Sequence, residues 1–573
     1  MITRFLLLAG LAATAVAAVR RGGSPADAPA TTPTALPGAA AGNGRAWGVA
    51  MALCRVEGRR LLCSPLVLAG FALAPLTMGF GFSETSDLHE VSVYAGFGML
   101  APAAMTLVTA NLAVLRSRRA GTEEVLGVAP AAPAARTGGH LLAVAWPAAA
   151  AATVIGLQVV FLLLTSETRS HLEVAELVVG VLLVAGAGAL GVLVARWVPN
   201  PVAAIGACVA IAVFELSVNG PELATSGWRW MAFWLQEAGE VPSRLLPDRP
   251  AGWHAVYLAG LVAAAGVGAL ARHGLRPRLV AAGGVVVAVV AGAAWAQGRP
   301  PSAAAWARAD ARLAAPDDHQ VCEVRGRVRY CAYPPDDALF DHWAGDVAGV
   351  LRLVPAEVGA RPLEVSQRLV PTNDLEYVAE GLHRRLRRRM PSLPALGAPA
   401  PDDGALHPPM GWDWDGRDGP DLGLAFGAAS WAIGLPLAPS APFTMCDGAG
   451  QGRTVVAAWL AGAANDETGA ALRRHARQQA GGTHVALWES WEGAVALGEV
   501  EVAQTLALLD RPPGEVAALV SEHWDQITDR DATTSAVAAR LGLPAAAAPA
   551  ARRDRPTFGD EVRPDLRLGP PCR

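Results

Sequence analysis

Leu177-Val-Val-Gly-Val-Leu-Leu-Val-Ala-Gly-Ala-Gly-Ala-Leu-Gly-Val-Leu-Val-Ala195 runs for nineteen residues without a charge and is closed by Arg196. A helix needs roughly 20 mostly apolar residues to cross the hydrocarbon core of a bilayer. One such run also suits a buried helix of a water-soluble protein. Here it is one of seven. Residues 61–83, 94–115 and 141–164 are equally free of charge, the last with Pro147 as an expected kink, and 197–214, 253–271 and 279–298 complete the series. A shorter apolar stretch, 5–19, lies between Arg4 and Arg20-Arg21 and leads into a Pro/Ala/Thr-rich linker reaching residue 44. It has the look of a signal-peptide core. Because arginine-rich sequence follows it, it is read as an uncleaved extra span with its N-terminus outside.

Composition divides the chain at the same place. Charged residues make up 17% of the sequence and hydrophobic ones 52%, against about 25% charged in an ordinary soluble domain. The shortage is concentrated before residue 298. The expected fold is an α-helical polytopic membrane bundle of about seven spans, eight if 5–19 crosses, followed by a mainly helical α+β soluble domain. The divisions are 1–44 (apolar segment and linker), 45–298 (membrane domain) and 299–573 (tail domain). Net charge is −4, which gives no footprint for nucleic acid. All 47 basic residues are arginine. A P-loop needs a lysine at the β- and γ-phosphates, so ATP-driven work requires another polypeptide.

Loop charge sets orientation, because short arginine-rich loops stay in the cytoplasm. Arg45, Arg55, Arg59 and Arg60 precede the first main span, and Arg116, Arg118, Arg119 and Arg136 fill the second-to-third loop. Arg196, Arg272, Arg276 and Arg278 follow on the same side, for twelve arginines against four in the alternate loops. The bundle therefore starts inside, in the plasma membrane, and the tail is expected to be extracytoplasmic. Within the spans only Glu176 and Glu215 are charged, both near ends and both read as solvated. Gly180, Gly186, Gly188 and Gly191 in the fourth span, and Gly283, Gly284 and Gly292 in the seventh, are read as close-packing positions.

Two stretches carry function. The first, Ala52-Leu-Cys-Arg-Val-Glu-Gly-Arg-Arg-Leu-Leu-Cys-Ser-Pro65, contains Arg55, Glu57, Arg59 and Arg60. It is either an amphipathic piece along the inner interface or plain positive-inside anchoring. The second, Arg116-Ser-Arg-Arg-Ala-Gly-Thr-Glu-Glu-Val-Leu-Gly-Val-Ala-Pro130, continues to Arg136. Thr122 is placed to cap a short helix with Glu123 and Glu124 in its first turn, where the dipole favours acids, and Pro130 ends it. That is a docking element for a soluble partner or a connecting loop.

An arginine-rich elbow, two spans, and R-x-R-R-x-G-T-E-E-x-L-x-x-x-P-x(5)-R before the third span resemble the ABC-type exporter permeases with six-span cores. Longer versions are similar to actinobacterial permease-like membrane proteins. The resemblance covers about residues 45–272. It implies that Arg55, Glu57, Arg59 and Arg60 lie on an elbow helix. It further implies that Gly121, Thr122, Glu123, Glu124 and Leu126 form a coupling helix fitting a cytoplasmic ATPase subunit, with Arg119, Pro130 and Arg136 around it. A permease homo- or heterodimer in the lipid bilayer is implied too, and a long, partly re-entrant outer loop between the fifth and sixth spans. Residues 219–252 supply that loop, and Trp228, Trp230 and Trp234 suit an outer aromatic belt. The seventh span and the tail depart from the six-span pattern.

In the tail, 299–316 reads as a tether. Val321-Cys-Glu-Val-Arg-Gly-Arg-Val-Arg-Tyr-Cys-Ala332 reads as a hairpin around Gly326-Arg327, whose Gly-first turn suits type II′. Counting outward from the turn sets Cys322 opposite Cys331 as a disulfide; two packed free thiols are the alternative. A helix is expected over 336–353 and a strand over 363–370. Helices are expected over 375–389, 453–464, 469–479, 488–509 and 513–526, and a Pro/Gly/Asp-rich loop over 395–421. The run Arg384-Arg-Leu-Arg-Arg-Arg389 meets anionic headgroups or is a solvated helix face. No HExxH and no GxSxG occurs, so no enzyme, metal or cofactor is expected. The tail's organisation resembles a zinc-aminopeptidase-like domain lacking the metal motif, which would make it a binding module. Alternatives to the exporter subunit are a non-transporting, membrane-anchored binding or sensory protein, and a degenerate metallopeptidase-like or otherwise hydrolytic domain on an anchor.

Overall fold

In the computed structural model the described residues are 43–78, 92, 95–122, 124, 132–165, 172–218, 227–234, 250–334, 336–368, 384, 386–393, 404–408, 419–435, 444–478, 484–486, 495–544, 557–558, 561–562 and 567–572. The expected extra span at 5–19 lies outside them.

The arginine-rich segment before the first span is a helix, α1 (Asn43–Leu62), and the apolar runs are helical too: α2 (Pro65–Met78), α3 (Leu100–Val114), α4 (Pro133–Ala143), α5 (Ala145–Thr165), α6 (Val174–Trp197), α7 (Val202–Val218), α8 (Ala251–Ala271) and α9 (Pro277–Gln297). Among the described residues, five helical stretches are long and apolar enough to cross a membrane: Ala95–Val114, Pro133–Phe161, Val174–Trp197, Ala251–Ala271 and Pro277–Gln297. The first and fifth expected spans are the shorter helices α2 and α7, of 14 and 17 residues.

Helix α6 is the centre, lying along both α3 and α8. Small residues make this contact, as expected. A side chain at Gly191 would run into the Leu107 carbonyl of α3, and one at Gly188 into Val144. Two glycines of α9 behave otherwise. Gly284 and Gly292 have open space around them, and α9 turns Val280, Val285, Val287 and Trp295 outward. It packs chiefly on α8, where Gly283 faces Val267, so Gly284 and Gly292 are not contact positions.

Proline sets two boundaries. Pro147 lacks an N–H and crowds the carbonyl four residues earlier; the third span accordingly breaks at Val144, between α4 and α5. The fifth span was expected from Trp197, but Trp197 ends α6. Pro199 and Pro201 force the chain out of the helix, and α7 restarts at Val202, whose N–H is held by Asn200 Oδ1 at 2.9 Å.

The expected tether is mostly helix. Ser302 accepts the Ala305 N–H at 3.1 Å and caps α10 (Ala303–Ala314); an Ala-rich stretch behind a serine cap is a sound helix former. Strands β1 (Val321–Arg325) and β2 (Val328–Ala332) then pair in the expected register, Cys322 opposite Cys331. Gly326 takes the turn at φ +64°. Strand β3 (Leu363–Ser366) joins β2 in parallel after α11 (Phe340–Leu351). The loop expected over 395–421 is shorter than read. Leu406 bonds the backbone beside β3, and the apolar helix α12 (Gly419–Ile433) begins before it should end.

A second sheet was not foreseen. Its order is β5-β6-β4-β9, from β4 (Thr444–Asp447), β5 (His484–Ala486), β6 (Val495–Gly498) and β9 (Arg567–Pro571), while β7 (Thr557–Phe558) and β8 (Glu561–Val562) form a small ladder of their own. The helix expected over 488–509 begins only at Glu499, as α15 (Glu499–Leu509), because residues 495–498 belong to β6. Helix α13 (Gly452–Gly462) is buried along its whole length, packed against α12 and α15. α14 (Asp466–Gln478), α16 (Pro513–Glu522) and α17 (Thr534–Arg540) complete the tail. Trp343, Trp459, Phe426 and Tyr330 are its largest buried apolar groups. Two disulfides staple it, Cys322–Cys331 and Cys446–Cys572.

Candidate functional site

Glu57 is 5% exposed although it sits in the most arginine-rich part of α1. The burial follows from packing. α1 lies against α4, where Gly139 admits Leu53, and Gly58 faces Trp146 at a distance no larger residue would allow. One turn on, α1 ends and the chain enters α2. Glu57 takes both of its carboxylate oxygens to Arg116 Nη1, at 2.7 and 2.9 Å, and accepts Arg60 Nη1 at 3.0 Å. Charge-assisted bonds of this kind are the stronger ones. The elbow is thereby tied to the start of the second-to-third loop.

Arg116 begins one further helical turn, Arg116–Arg119. Gly121 then stops it at φ +65°. Its N–H bonds the Arg118 carbonyl at 3.2 Å and the Thr122 N–H bonds Ser117 at 2.9 Å, the paired closure that a left-handed glycine permits. Gly121 therefore closes this turn of helix. The Thr122 hydroxyl donates back to the Ser117 carbonyl at 3.2 Å. Arg118, Arg119, Thr122 and Glu124 are exposed. Glu123, Leu126 and Pro130 lie outside the described residues. Arg55 and Arg59 are exposed on α1, while Arg136 is half-buried on α4.

Other loops arrive at the same end. Thr137 Oγ1 is 2.7 Å from His273 Nε2, just beyond α8. Burial, and then the charges of Arg196, Arg272 and Arg136, hold the His273 imidazole below its usual range. The guanidinium of Arg272 lies over the Trp197 ring. Arginines from three loops thus crowd one imidazole, beside the pair from the elbow. Sequence reasoning singled out these arginines but missed His273 and the link from Glu57 to Arg116. A lone acid in an arginine-rich segment was the available signal.

The opposite end is capped from above. Residues 227–234 form a 3₁₀ turn and a bend that dips into the bundle. Trp234, expected in an aromatic belt, is instead 8% exposed and packs at a tilt against Phe97 with centroids 4.8 Å apart. Gly96 leaves it room. Glu215, expected to be solvated, accepts the Phe233 N–H at 2.5 Å. His254 Nε2 lies 3.3 Å from the Phe233 carbonyl and its Nδ1 lies 3.2 Å from Gln297 Oε1. Glu176, also expected to be solvated, is 3% exposed. These acids serve the insertion and packing of the bundle end, not a wet rim.

In the tail, Asp447-Gly-Ala-Gly-Gln-Gly452 links a parallel strand to a buried helix, where such loops often hold phosphate. Its amides are already engaged. Gly450 N–H donates to Glu501 Oε1 at 2.9 Å, Ala449 N–H to Asp447 Oδ1 at 3.0 Å, and Gly452 N–H to the Ala532 carbonyl at 2.8 Å. Among the described residues no three His, Cys, Asp or Glu side chains gather as a metal site. No family model, no curated protein and no solved structure matches this chain.

Proposed function

We propose that the chain is the membrane subunit of an exporter of the ABC type, and that its arginine-rich end docks a separate cytoplasmic ATPase subunit. The observation that carries this reading is the Glu57–Arg116 pair, which couples the elbow mechanically to the loop that a motor would push. A loop merely connecting two spans has no need of such a tie. Absence of lysine removes ATP hydrolysis by a P-loop from this chain, so the motor is a partner. The export reading takes a dimer of such subunits moving an apolar or peptide-like substrate outward.

Cysteine chemistry supports the tail being extracytoplasmic in the plasma membrane. All four tail cysteines are paired, whereas Cys54, Cys63 and Cys208 of the bundle are free. Disulfides persist in oxidising compartments and are rare in the cytosol. Purification in mild detergent with identification of every co-eluting chain tests the docking. An ATPase is expected, and charge reversal at Glu123 and Glu124 should deplete it while leaving membrane insertion intact. Its absence from the wild-type preparation would sink the reading.

A second reading, a non-transporting anchor for a binding or sensory tail, draws on Trp234. Its burial at the far end of the bundle suits a closed structural plug as well as a gate. It predicts no ATPase in the same preparation.

A further inference from the structure

The last span hands the chain to the tail across five residues. α9 ends at Gln297 and α10 begins at Ala303. Residues 298–302 therefore bridge at most about 18 Å at roughly 3.5 Å per residue. The headgroup layer outside the hydrocarbon is itself about 5–8 Å thick on each side. Arg299 marks that layer, its guanidinium 3.5 Å over the Trp295 ring, in the manner of interfacial Trp and Arg anchors. α10 is held close to the membrane surface by a short leash.

The surface brought there is cationic. α10 exposes Arg308 and Arg312. Against it sits the helical turn at residues 386–389, with Arg388 and Arg389 exposed and Arg384 exposed just before it. The Arg389 guanidinium lies 5.1 Å from the Trp306 ring of α10. Ser392 N–H donates to Asp310 Oδ1 at 2.8 Å, which locks the two segments together and engages the single carboxylate of α10. Six arginines, Arg387 included, thus stand with one acid among the described residues of these two segments. A merely solvated helix face does not require them to be fixed beside the final span.

We propose that Arg308, Arg312, Arg384, Arg388 and Arg389 form a headgroup-binding surface that seats the tail on an anionic leaflet. The occupant is lipid because the chain itself delivers this face to the bilayer, and its charge complements phosphatidylglycerol or similar headgroups. The tail then does not swing freely on its connection; it rides on the membrane.

The test is hydrogen exchange of residues 303–314 and 384–393 in the full chain, reconstituted in nanodiscs of phosphatidylcholine alone or with phosphatidylglycerol. A basic residue near an anionic surface is worth about five-fold in binding. Exchange should slow by about ten-fold or more in the anionic discs when three or more such contacts form, and high salt should reverse it. Inorganic phosphate added to neutral discs at matched ionic strength should not reproduce it. The variant R384Q/R388Q/R389Q should lose the lipid dependence and R384K/R388K/R389K should keep it, which separates charge from the Arg389–Trp306 stacking. Equal exchange in both lipids, or protection surviving in the glutamine variant, overturns the proposal.

Discussion

Glu57 and Arg116 stand 59 positions apart in the chain and meet at 2.7 Å, which joins the helix before the first span to the loop after the second. The acid is buried while the arginine remains half-exposed, so the bond is worth only about 1 kcal/mol. Glu57→Gln should lower stability by that amount in detergent. A double-mutant cycle with Arg116→Gln should return a coupling of about 0.5–1 kcal/mol. Strict additivity of the two substitutions would show that the contact carries nothing.

The two glycine classes in the bundle should separate cleanly. Gly191→Ala drives a methyl into the Leu107 carbonyl and should cost about 1–3 kcal/mol, as overpacking does. Gly284 stands in open space on a helix, so Gly284→Ala should be neutral or stabilise by up to about 1 kcal/mol. Thermal unfolding of the two purified variants decides it.

The disulfides should rank by the loop each closes. Cys446–Cys572 spans 126 positions and Cys322–Cys331 spans nine. Chain entropy gives about 5 kcal/mol for the first and about 2.5 kcal/mol for the second. Cys572→Ser should therefore sensitise the tail to proteolysis more than Cys322→Ser. The reverse order would point to native-state packing as the dominant effect.

Alkaline pH should loosen the tail in a defined window. Burial pushes the Tyr333 hydroxyl up to about 12 and Tyr330 also upward. Phenols that ionise near 10 when unfolded favour the folded chain while neutral, so this stability is intact below about pH 10. It is lost as pH rises towards 12, at about 1.4 kcal/mol per unit for each group. Absorbance titration should show these two ionising late and together with unfolding.

Much of the bundle was legible because a membrane demands one simple thing, an uncharged run of sufficient length. Its boundaries were less so. Glu215 and Trp234 looked like rim residues by position and composition, yet the 227–234 segment folds inward and uses both. The hairpin register from Val321 to Ala332 was legible because a two-residue turn fixes every pair by counting. The second sheet was not. β4, β6 and β9 are four or five residues long, too short for a period to declare itself, and β4 finds β6 about 50 residues on and β9 more than a hundred residues on. Cys446 and Cys572 were invisible as a pair for the same reason. At the arginine-rich end the residue types were readable, whereas the placement of Arg196, Arg272 and His273 around α4 depended on tertiary packing.

Strand β9 imposes a timetable on biogenesis. It lies directly beside β4, near position 570 of the sequence, and Cys572 seals the junction. A ribosome reaches those residues more than a hundred positions after it has made β4. Until they are delivered to the same compartment as the rest, β4 has one flank uncovered and Cys446 has no partner, so the tail waits on chaperones or on its own translocation for completion. Truncation ahead of Arg567 should consequently be punished as severely as substitutions in the core.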